Sequence, residues 1–503
     1  IYNIVNHSES RLLLAGDVVA TQIEVAQMPA LEGVIYLPDF SLIESRTEKL
    51  SYAREHLNEM FGHKYPKFFR KEHVCYHQDN AEELAMINYT SGTTGDSKGV
   101  MLTYSQYHAA LKANDECVPV GETDRVISFL PYTHIFERAW AYLALSEGAQ
   151  LIINTNPHDI QDSMRQTHPT CMSSVPRFWE KVYAGVKERM EAASPLQRRL
   201  FKHALEVGRR HNVHYLSRGK RPPLPLRMEY KVLNRTVLSL VRKQLGLENA
   251  NIFPTAGARV SSEVEEFVHS IGLFMMVGYG LTESLATVSC DRVDKPYTLG
   301  SVGRVINGLQ IKIGENNEVL LKGPTITKGY YKREALNSKI FDKDGFFRTG
   351  DAGYIKNGEL FLTERIKDLY KTSNGKYIAP QMIEALLLVD KYIDQVAVVA
   401  DERKFVSALV VPEFRVVEEY AHAHGIDFNS REDLCANRQI HQMMLDRIHT
   451  LVQQLSPYEQ IKRITLIPHH FSMENGELTN TLKLRRPVIL ANYKELIDKM
   501  YEE

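Results

Sequence analysis

The stretch YTSGTTGDSKGV, residues 89–100, places hydroxyl side chains among glycines directly before a lysine. The preceding LAMINYT, residues 84–90, is apolar with β-branched and aromatic residues, and it predicts a buried strand. Glycines let a backbone approach a ligand closely, while hydroxyls, backbone N–H groups and a cation suit a polyphosphate. The stretch therefore predicts a strand followed by a phosphate-binding loop, with a polar turn that holds no ligand as the alternative.

This loop differs from the Walker A loop of P-loop kinases. That loop requires the pattern G-x-x-x-x-G-K-[ST]. Here Ser97 stands at the place of the second glycine and Gly99 at the place of the Ser or Thr. A kinase that releases ADP is therefore disfavoured.

Composition excludes several classes of protein. The formal net charge of −1 over 503 residues argues against general nucleic-acid binding, and the length predicts more than one domain. The cysteines, at 75, 117, 171, 290 and 435, form no C-x-x-C pair, which suits a reducing compartment. The sequence contains no apolar run of about 18 residues, so it predicts no transmembrane helix. We expect a cytoplasmic protein whose N-terminal sequence is missing here, because the chain opens within an apparent element.

Strand-like apolar runs alternate with helical stretches through the first half of the chain, as in RVISFL (125–130), QLIINT (150–155) and LFMMVGY (273–279). This alternation predicts an α/β fold. After about residue 300, short alternating strands with Gly-rich turns predict a β-rich, barrel-like subdomain. From about residue 368 the pattern predicts a smaller α+β C-terminal domain.

Three further clusters carry residues suited to a nucleotide. In VGYGLTES, residues 277–284, an aromatic ring could stack on a base, a Thr could meet a phosphate and Glu283 could bind Mg²⁺. In FRTGDAGY, residues 347–354, Asp351 could accept hydrogen bonds from ribose hydroxyls. In ERIKDLYKTSNGKYIAPQMIE, residues 364–384, Arg365 precedes a polar, Lys-rich strand. Taken singly, the first cluster could be a capped strand-to-helix turn, the second an ordinary Asp in a turn and the third a solvated hairpin.

Together and in this order, these motifs resemble the adenylate-forming enzymes, a family that includes acyl-CoA synthetases, luciferases and peptide-synthetase adenylation domains. The resemblance covers nearly the whole chain and also includes TAGARVSSEVEEF, SVGRVINGLQIKI, KGPTITKGYY and ENGELTNTLKLRR. Within the family, LPYTHIFER (130–138), VPRFWEKVY (175–183) and ENGELTNTLK resemble the long-chain fatty acid CoA ligase branch.

The resemblance implies a role for each motif residue. The β- and γ-phosphates of ATP would be bound by Thr90, Ser91, Gly92, Thr93, Thr94, Gly95 and Lys98. The nucleoside would be bound by Gly257, Ala258, Tyr279, Gly280, Asp351 and Arg365, with Tyr279 on the base and the last two on the ribose. Thr282 would meet the α-phosphate, Glu283 and Thr90 would hold Mg²⁺, and Lys483 would be the adenylation lysine.

The resemblance also implies the reaction and its domains. A fatty carboxylate would attack ATP to form an acyl-adenylate and pyrophosphate, and CoA would then take the acyl group and release AMP. The expected domains are 1–366, which binds the adenylate, and a mobile 367–503, with a hinge near Lys367. Activation of another carboxylic acid, acyl loading of a carrier protein and a non-catalytic lipid-binding relative remain open as alternatives.

Two positions depart from the family pattern. Ser97 replaces a common proline of the loop, which removes no ligand. Arg138 stands where some members carry an aromatic gate to the acyl tunnel, so that gate cannot be assigned. His134 could line the acyl or CoA site or could equally be a structural residue.

The segment 187–245 is strongly basic, with 15 Lys and Arg against four Asp and Glu. Such a segment predicts peripheral contact with an anionic membrane, at its inner face, where fatty acids partition. A solvated helical insertion or a surface for a protein partner are the alternatives.

Overall fold

The structure is a computed structural model, and it describes residues 1–56, 80–91, 97–366, 369–479 and 484–502. Contacts divide the described chain into two compact units. One unit contains residues 1–105 and 327–334, and the other contains residues 106–326 and 335–503. The loop positions 92–96, Lys367 and Lys483 lie outside the described residues.

The first unit combines a small mixed sheet with a long hairpin. Its elements are α1 (Tyr2–Ser8), β1 (Leu12–Ala15), α2 (Asp17–Gln22), a 3₁₀ turn (Val25–Gln27), β2 (Gly33–Tyr36), β3 (Leu42–Ser45), α3 (Glu48–Glu55), β4 (Leu84–Ser91) and β5 (Ser97–Thr103). Strands β1 and β2 are parallel and β3 is antiparallel to β2. Strands β4 and β5 form the antiparallel hairpin that contains the phosphate-loop motif.

The second unit begins with a largely parallel sheet flanked by helices. Its first elements are α4 (Tyr104–Asp115), β6 (Arg125–Ser128), α5 (Ile135–Ser146), β7 (Gln150–Ile153), a 3₁₀ turn (Pro157–Asp159), α6 (Ile160–Thr167), β8 (Cys171–Met172), α7 (Pro176–Ala192), α8 (Pro195–Gly208), a π-helical stretch (Arg209–Leu216), α9 (Leu224–Leu233), a second π-helical stretch (Asn234–Leu238) and α10 (Ser239–Leu245). Strands β7, β6 and β8 lie in that order and are parallel, as continuous apolar runs between helices predict.

A second sheet places the VGYGLTES motif at a strand end. Its elements are β9 (Phe253–Thr255), α11 (Ser262–Ser270), β10 (Met275–Leu281), a 3₁₀ turn (Thr282–Ser284), β11 (Ala286–Cys290) and β12 (Arg304–Val305). Strands β9 and β10 are parallel, whereas β11 is antiparallel to both β10 and β12. Parallel bridges from Cys171 to Ile252 and from Ser174 to Thr255 join the first sheet to this one.

The β-rich part is a four-stranded antiparallel sheet. It contains β13 (Gln310–Ile313), a 3₁₀ turn (Glu315–Asn317), β14 (Glu318–Lys322), β15 (Phe347–Lys356) and β16 (Glu359–Arg365), with the short helix α12 (Glu334–Asn337) before β15. The strands lie in chain order. Asp351 of β15 is directly opposite Arg365 of β16, so the register of this pair joins two of the predicted site residues.

The C-terminal part has its own hydrophobic core, which runs from Tyr370 to Met500. Its elements are β17 (Tyr370–Lys371), β18 (Tyr377–Ile378), α13 (Pro380–Leu387), β19 (Ile393–Val399), β20 (Val406–Pro412), α14 (Phe414–Ala423), α15 (Arg431–Ala436), α16 (Arg438–Val452), β21 (Ile461–Leu466), α17 (Arg486–Asn492) and α18 (Lys494–Tyr501). Among the described residues, no helix has the length and apolar character needed to cross a membrane.

Helix α7 connects the parallel-sheet region to the C-terminal part through ion pairs. They are Arg177 to Asp394 at 2.5 Å, Glu188 to Arg415 at 2.9 Å and Glu191 to Lys391 at 2.7 Å. The Asp394 carboxylate is nearly buried and also contacts His470 at 3.0 Å, whereas the other two pairs lie at the surface. Surface pairs contribute little stability, whereas removal of Arg177 would leave the nearly buried Asp394 carboxylate without this partner.

Two carboxyl groups are buried close together behind the second sheet. Glu265 of α11 accepts a hydrogen bond from the backbone N–H of Gly300 at 2.9 Å, and its other oxygen contacts no donor among the described residues. Burial raises the pKa of Glu265 to about 8. Burial raises the pKa of Asp291 well above its usual range. We infer that Glu265 is protonated in the folded protein at neutral pH.

The variant Glu265→Gln should therefore flatten the pH dependence of stability. The folded carboxyl, with a pKa of about 8, holds its proton where the unfolded one has lost it. The free energy of unfolding then falls as pH rises, by at most about 1.4 kcal/mol per pH unit, between about pH 4.5 and about pH 8. Relative to the unmodified protein, the Tm of Glu265→Gln should rise from about pH 6 to about pH 8. Glu495→Gln, an exposed substitution of the same kind, should follow the unmodified protein. A Tm difference that does not change with pH would contradict an ionisable, protonated Glu265.

Candidate active site

Three predicted nucleotide residues contact one another in the second unit. The Tyr279 hydroxyl donates to Oδ2 of Asp351 at 2.6 Å, and Nε of Arg365 donates to Oδ1 at 2.9 Å. Tyr279 ends the buried part of β10, while Asp351 and Arg365 are cross-strand neighbours on β15 and β16. Burial, and then the Asp351 carboxylate, raise the pKa of the Tyr279 hydroxyl well above its usual range. Tyr279 thus remains a neutral donor.

The turn before Asp351 holds its carboxylate in place. The backbone N–H of Asp351 donates to Oγ1 of Thr349 at 3.0 Å, and Thr349 in turn donates to the carbonyl of Val319 at 2.7 Å. Gly350 lies between them with φ of 73°, a left-handed conformation that favours glycine. Each carboxylate oxygen can accept a further hydrogen bond beside its present partner. Asp351 can therefore bind a diol while it keeps both protein contacts.

Gly257 and Ala258 form an exposed loop at the end of β9. Gly257 has φ of 95°, and a Cβ there would meet no atom within 4 Å, so conformation rather than space requires the glycine. Nη1 of Arg259, the residue after Ala258, donates to the carbonyl of Thr363 on β16 at 3.4 Å. This bond ties the loop to the strand that ends in Arg365.

The residues after Tyr279 form a tight, strained turn. A Cβ on Gly280 would lie 1.3 Å from the carbonyl oxygen of Ala286, so only glycine fits between β10 and β11. Thr282 and Glu283 then lie half-buried in a 3₁₀ turn, followed by Leu285 and Ala286 with φ of 53° and 76°. Such conformations are unfavourable for residues other than glycine and are concentrated at functional sites. Gly280 thus permits this turn, and its assigned contact with the nucleotide stays a prediction.

The first unit supplies the base of the phosphate-loop hairpin. Thr90 of β4 is directly opposite Lys98 of β5, and the Lys98 ammonium lies 5.4 Å from the centroid of the Tyr330 ring. The Ser91 backbone pairs with Ser97, and the side chain of Ser91 is outside the described set. Gly92, Thr93, Thr94 and Gly95 also lie outside the described residues, as does Lys483. Their assigned roles stay predictions.

No group of three or more His, Cys, Asp or Glu side chains that could hold a metal occurs among the described residues. A nucleotide-borne Mg²⁺ needs only one or two protein oxygens, because phosphates and water supply the remaining ligands. Glu283 as a half-buried carboxylate and Thr90 as a hydroxyl have the chemistry for that role. Both metal assignments stay predictions.

Sequence reasoning missed Glu137, which is fully buried in α5. Its two oxygens accept hydrogen bonds from Ser128 and Ser173, both at 2.5 Å. Burial raises the pKa of Glu137 to about 7, although these hydrogen bonds oppose the shift. Glu137, in the first turn of α5, thus links β6 to the segment after β8. One acidic residue within the apolar helix IFERAWAYLAL was the available signal.

Positions near this helix have ordinary contacts. His134 is the N-terminal flanking residue of α5 and makes no capping hydrogen bond through its side chain. Nε of Arg138 donates to the carbonyl of Tyr132 at 3.0 Å. The departure at Arg138 therefore has a local structural role, and no gate is assigned there.

Comparison with known proteins agrees with the geometry. The chain belongs to the AMP-binding enzyme family, whose model matches residues 1–331, and the family's C-terminal domain model matches residues 367–503. Within that class, the chain resembles long-chain acyl-CoA synthetases. It is 31% identical over 443 residues to long-chain-fatty-acid–CoA ligase 1 of Homo sapiens, with 84% of this chain and 61% of the relative covered. The predicted resemblance is thereby confirmed.

Two further relatives come from Arabidopsis thaliana. One is the peroxisomal long chain acyl-CoA synthetase 6, 31% identical over 444 residues, and the other is the chloroplastic long-chain-fatty-acid–[acyl-carrier-protein] ligase AEE15, 28% identical over 470 residues. Each comparison covers 84% of this chain, with 61% of the synthetase and 62% of the ligase. The chain thus spans less than two thirds of the length of these relatives.

Solved structures confirm the predicted fold class. The adenylation domain of a carboxylate reductase from Mycobacterium chelonae has a TM-score of 0.71 at 19% identity, covering 100% of this chain and 74% of the other. The A domain of carboxylic acid reductase from Segniliparus rugosus, in complex with AMP and a co-purified carboxylic acid, has a TM-score of 0.70 at 20% identity, covering 99% and 76%. The fold is that of an adenylate-forming enzyme, with a large N-terminal and a smaller C-terminal part.

Proposed function

We propose that the complete protein is a long-chain fatty acid CoA ligase. It converts a fatty acid, ATP and CoA into acyl-CoA, AMP and pyrophosphate through an acyl-adenylate. The contact of Tyr279, Asp351 and Arg365 carries this proposal, because it brings residues of three separated motifs together at one place. The relatives with long-chain names support the choice of acid.

The nucleoside half of ATP is bound by side chains with complementary chemistry. Asp351 accepts hydrogen bonds from the ribose hydroxyls, and the Arg365 guanidinium, half-exposed beside it, donates to the same sugar. Tyr279 lies beneath the base, and the exposed backbone at Gly257 and Ala258 lines the adenine edge. Each contact uses a group that is already positioned, so little ordering is required on binding.

The phosphate half requires positive charge and donors. Thr90, Ser91, Lys98 and the loop between them bind the departing pyrophosphate, Thr282 binds the α-phosphate, and Lys483 neutralises the developing negative charge. Glu283 and Thr90 are the residues that would hold Mg²⁺, which would neutralise further phosphate charge when bound. The chain needs no nucleophile of its own, because the fatty carboxylate attacks phosphorus and the CoA thiol attacks the acyl carbon.

The test is a pyrophosphate-release panel with fatty acids of graded length, with and without CoA. The proposal predicts AMP and pyrophosphate as products, release that is greatest with long acids, and thioester only when CoA is present. ADP as the nucleotide product would overturn it. A short or aromatic acid as the preferred substrate would overturn the choice of acid alone.

Acyl transfer to a carrier protein is the second candidate, favoured by the relative named as an acyl-carrier-protein ligase. The same adenylate can be attacked by a phosphopantetheine thiol on either acceptor. Supplying free CoA or a phosphopantetheinylated carrier protein in parallel separates the two. We expect free CoA to be the faster acceptor.

Replacing Asp351 by asparagine should weaken ATP binding more than fatty acid binding. Asparagine keeps the shape but removes the anionic acceptor, and a hydrogen bond to a charged group contributes about 1.5–3 kcal/mol, so KM for ATP should rise at least about tenfold. KM for the fatty acid should hardly change. The exposed substitution Asp115→Asn is the matched control. An unchanged KM for ATP would remove Asp351 from the ribose site.

We further propose that the complete protein works in the cytoplasm, with segment 187–245 at the inner face of an anionic membrane. The charge of the segment supports this, because anionic lipids attract clustered Lys and Arg. The domain boundary at residues 366 and 367, with a hinge at Lys367, is likewise a proposal. The start of the C-terminal family match at residue 367 supports it.

A further inference from the structure

Helix α9 presents a row of large apolar side chains to solvent. Leu224, Met228 and Val232 are 66%, 60% and 60% exposed. Their spacing of four residues places them along one face of the helix. The opposite side is anchored in the protein, because Leu226 and Leu233 are buried in the core. A contiguous exposed apolar row on a well-anchored helix marks a surface that contacts another phase or molecule.

A basic row runs beside the apolar one. Arg227, Lys231 and Arg235 repeat with the same spacing and are all exposed. Glu229, the acidic residue of α9, contacts His203 of α8 at 3.0 Å. The helix thus combines an apolar row with an adjacent cationic row, which is the composition of helices that lie in a membrane interface.

A cationic cavity lies at the N-terminal end of the basic row. It is a shallow cavity that is largely open to solvent, and Arg227 belongs both to its wall and to the basic row. His211, Lys220 and Arg221 also line it, and the exposed Leu216 stands at its edge. Three cations and an imidazole around one opening complement a phosphate group.

We infer that the exposed face of α9 is an insertion face for anionic phospholipid bilayers. Leu224, Met228 and Val232 enter the boundary of the acyl chains, the basic row lies among the headgroup phosphates, and the cavity takes one headgroup. Charge complementarity identifies the occupant, since the surrounding segment has 15 Lys and Arg against four Asp and Glu. The inference deepens the proposed membrane contact of segment 187–245, and it rests on the proposed ligase activity only for its purpose, which is to draw a membrane-partitioned acid toward the enzyme.

The first test is the triple variant Leu224→Ser, Met228→Ser, Val232→Ser in the complete protein. Cosedimentation with vesicles of phosphatidylcholine and phosphatidylserine should fall about tenfold or more, because the apolar area that enters the bilayer is lost. The side chains are exposed, so Tm should be unchanged. The control is Leu145→Ser, Val293→Ser, Met473→Ser, three comparably exposed apolar positions elsewhere. An equal loss in both variants would overturn the assignment to α9.

The second test is Lys231→Gln with Arg235→Gln. Each cation near an anionic surface contributes about a fivefold gain in binding, so the pair should lower vesicle binding about 30-fold at low salt. High salt should shrink the difference, and vesicles of phosphatidylcholine alone should not distinguish the variant. Lys339→Gln with Lys343→Gln removes the same charge from another exposed surface and should bind normally. Equal weakening of vesicle binding in that control would show that binding depends only on net charge, and it would overturn the inference.

An acidic protein partner is the rival occupant of this face. It predicts that the purified complete protein does not bind anionic vesicles at all, and that result would overturn the inference. Failure of vesicle binding is separate from failure of the proposed function, because thioester formation with a soluble, shorter acid is measured without vesicles. The α9 variants should retain that activity, since none of their residues belongs to the nucleotide site.

Discussion

Replacing Lys483 with alanine is expected to slow acyl-adenylate formation by about 10²- to 10³-fold, the effect of removing one preorganised partner of transition-state charge. The structure describes the residues on both sides of this lysine. Leu478 and Leu484 form an antiparallel bridge, and the backbone N–H of Arg485 donates to the carbonyl of Glu477 at 2.7 Å. The five-residue segment that carries Lys483 therefore begins and ends at one fixed base.

The two half-reactions respond differently to this substitution. Pyrophosphate exchange reports the first step, and thioester formation from supplied acyl-adenylate reports the second. Lys483→Ala should impair the former and spare the latter. Lys462→Ala, an exposed lysine of the same region on β21, serves as the control and should leave both unchanged. Equal loss in both half-reactions would show that Lys483 is not specific to adenylation.

Replacing Lys367 with proline is expected to slow acyl-CoA formation by about 10²-fold or more, while pyrophosphate exchange persists. Proline fixes φ and removes a backbone N–H, so the chain loses a pivot without losing a substrate contact. A thiol that cannot reach the adenylate in the correct geometry reacts orders of magnitude more slowly. Described residues on both sides of it are anchored, because Arg365 contacts Asp351 and Tyr370 belongs to the C-terminal core.

The ion pairs of α7 bear on the reorientation that this experiment tests. Reorientation of the C-terminal part requires the pairs from Arg177, Glu188 and Glu191 to break. Lys367→Ala, which keeps φ free, should support both half-reactions. If Lys367→Pro folds and makes acyl-CoA at the unmodified rate, the pivot lies at another residue or no reorientation occurs.

Local patterns predicted the strands well because each strand is a short apolar run between turn residues. The run at 84–90 is β4 (Leu84–Ser91), and the run at 273–279 overlaps β10 (Met275–Leu281). Motif resemblance also identified Asp351 and Arg365. The contact between them depends on the register of β15 against β16, which no local pattern determines.

The features that were missed depend on tertiary burial. Glu137 and Glu265 look like ordinary helical acids in the sequence, and only their surroundings remove them from water. The apolar row of α9 shows the reverse case. A four-residue apolar repeat usually predicts a core-facing surface, yet Leu224, Met228 and Val232 face outward. Sequence alone therefore predicted the charge of this segment and missed its apolar face.

The Asp351 carboxylate has a thermodynamic consequence through its two partners. One partner, Tyr279, belongs to the proposed nucleotide site, and the other, Arg365, lies two residues before the proposed pivot. If the contacts of Arg365 differ between the two proposed domain orientations, reciprocity requires each orientation to bind AMP with a different affinity. We expect the Kd for AMP to differ between Lys367→Pro and the unmodified protein. Product release and domain reorientation would then be coupled, and the ion pair between Asp351 and Arg365 would couple them.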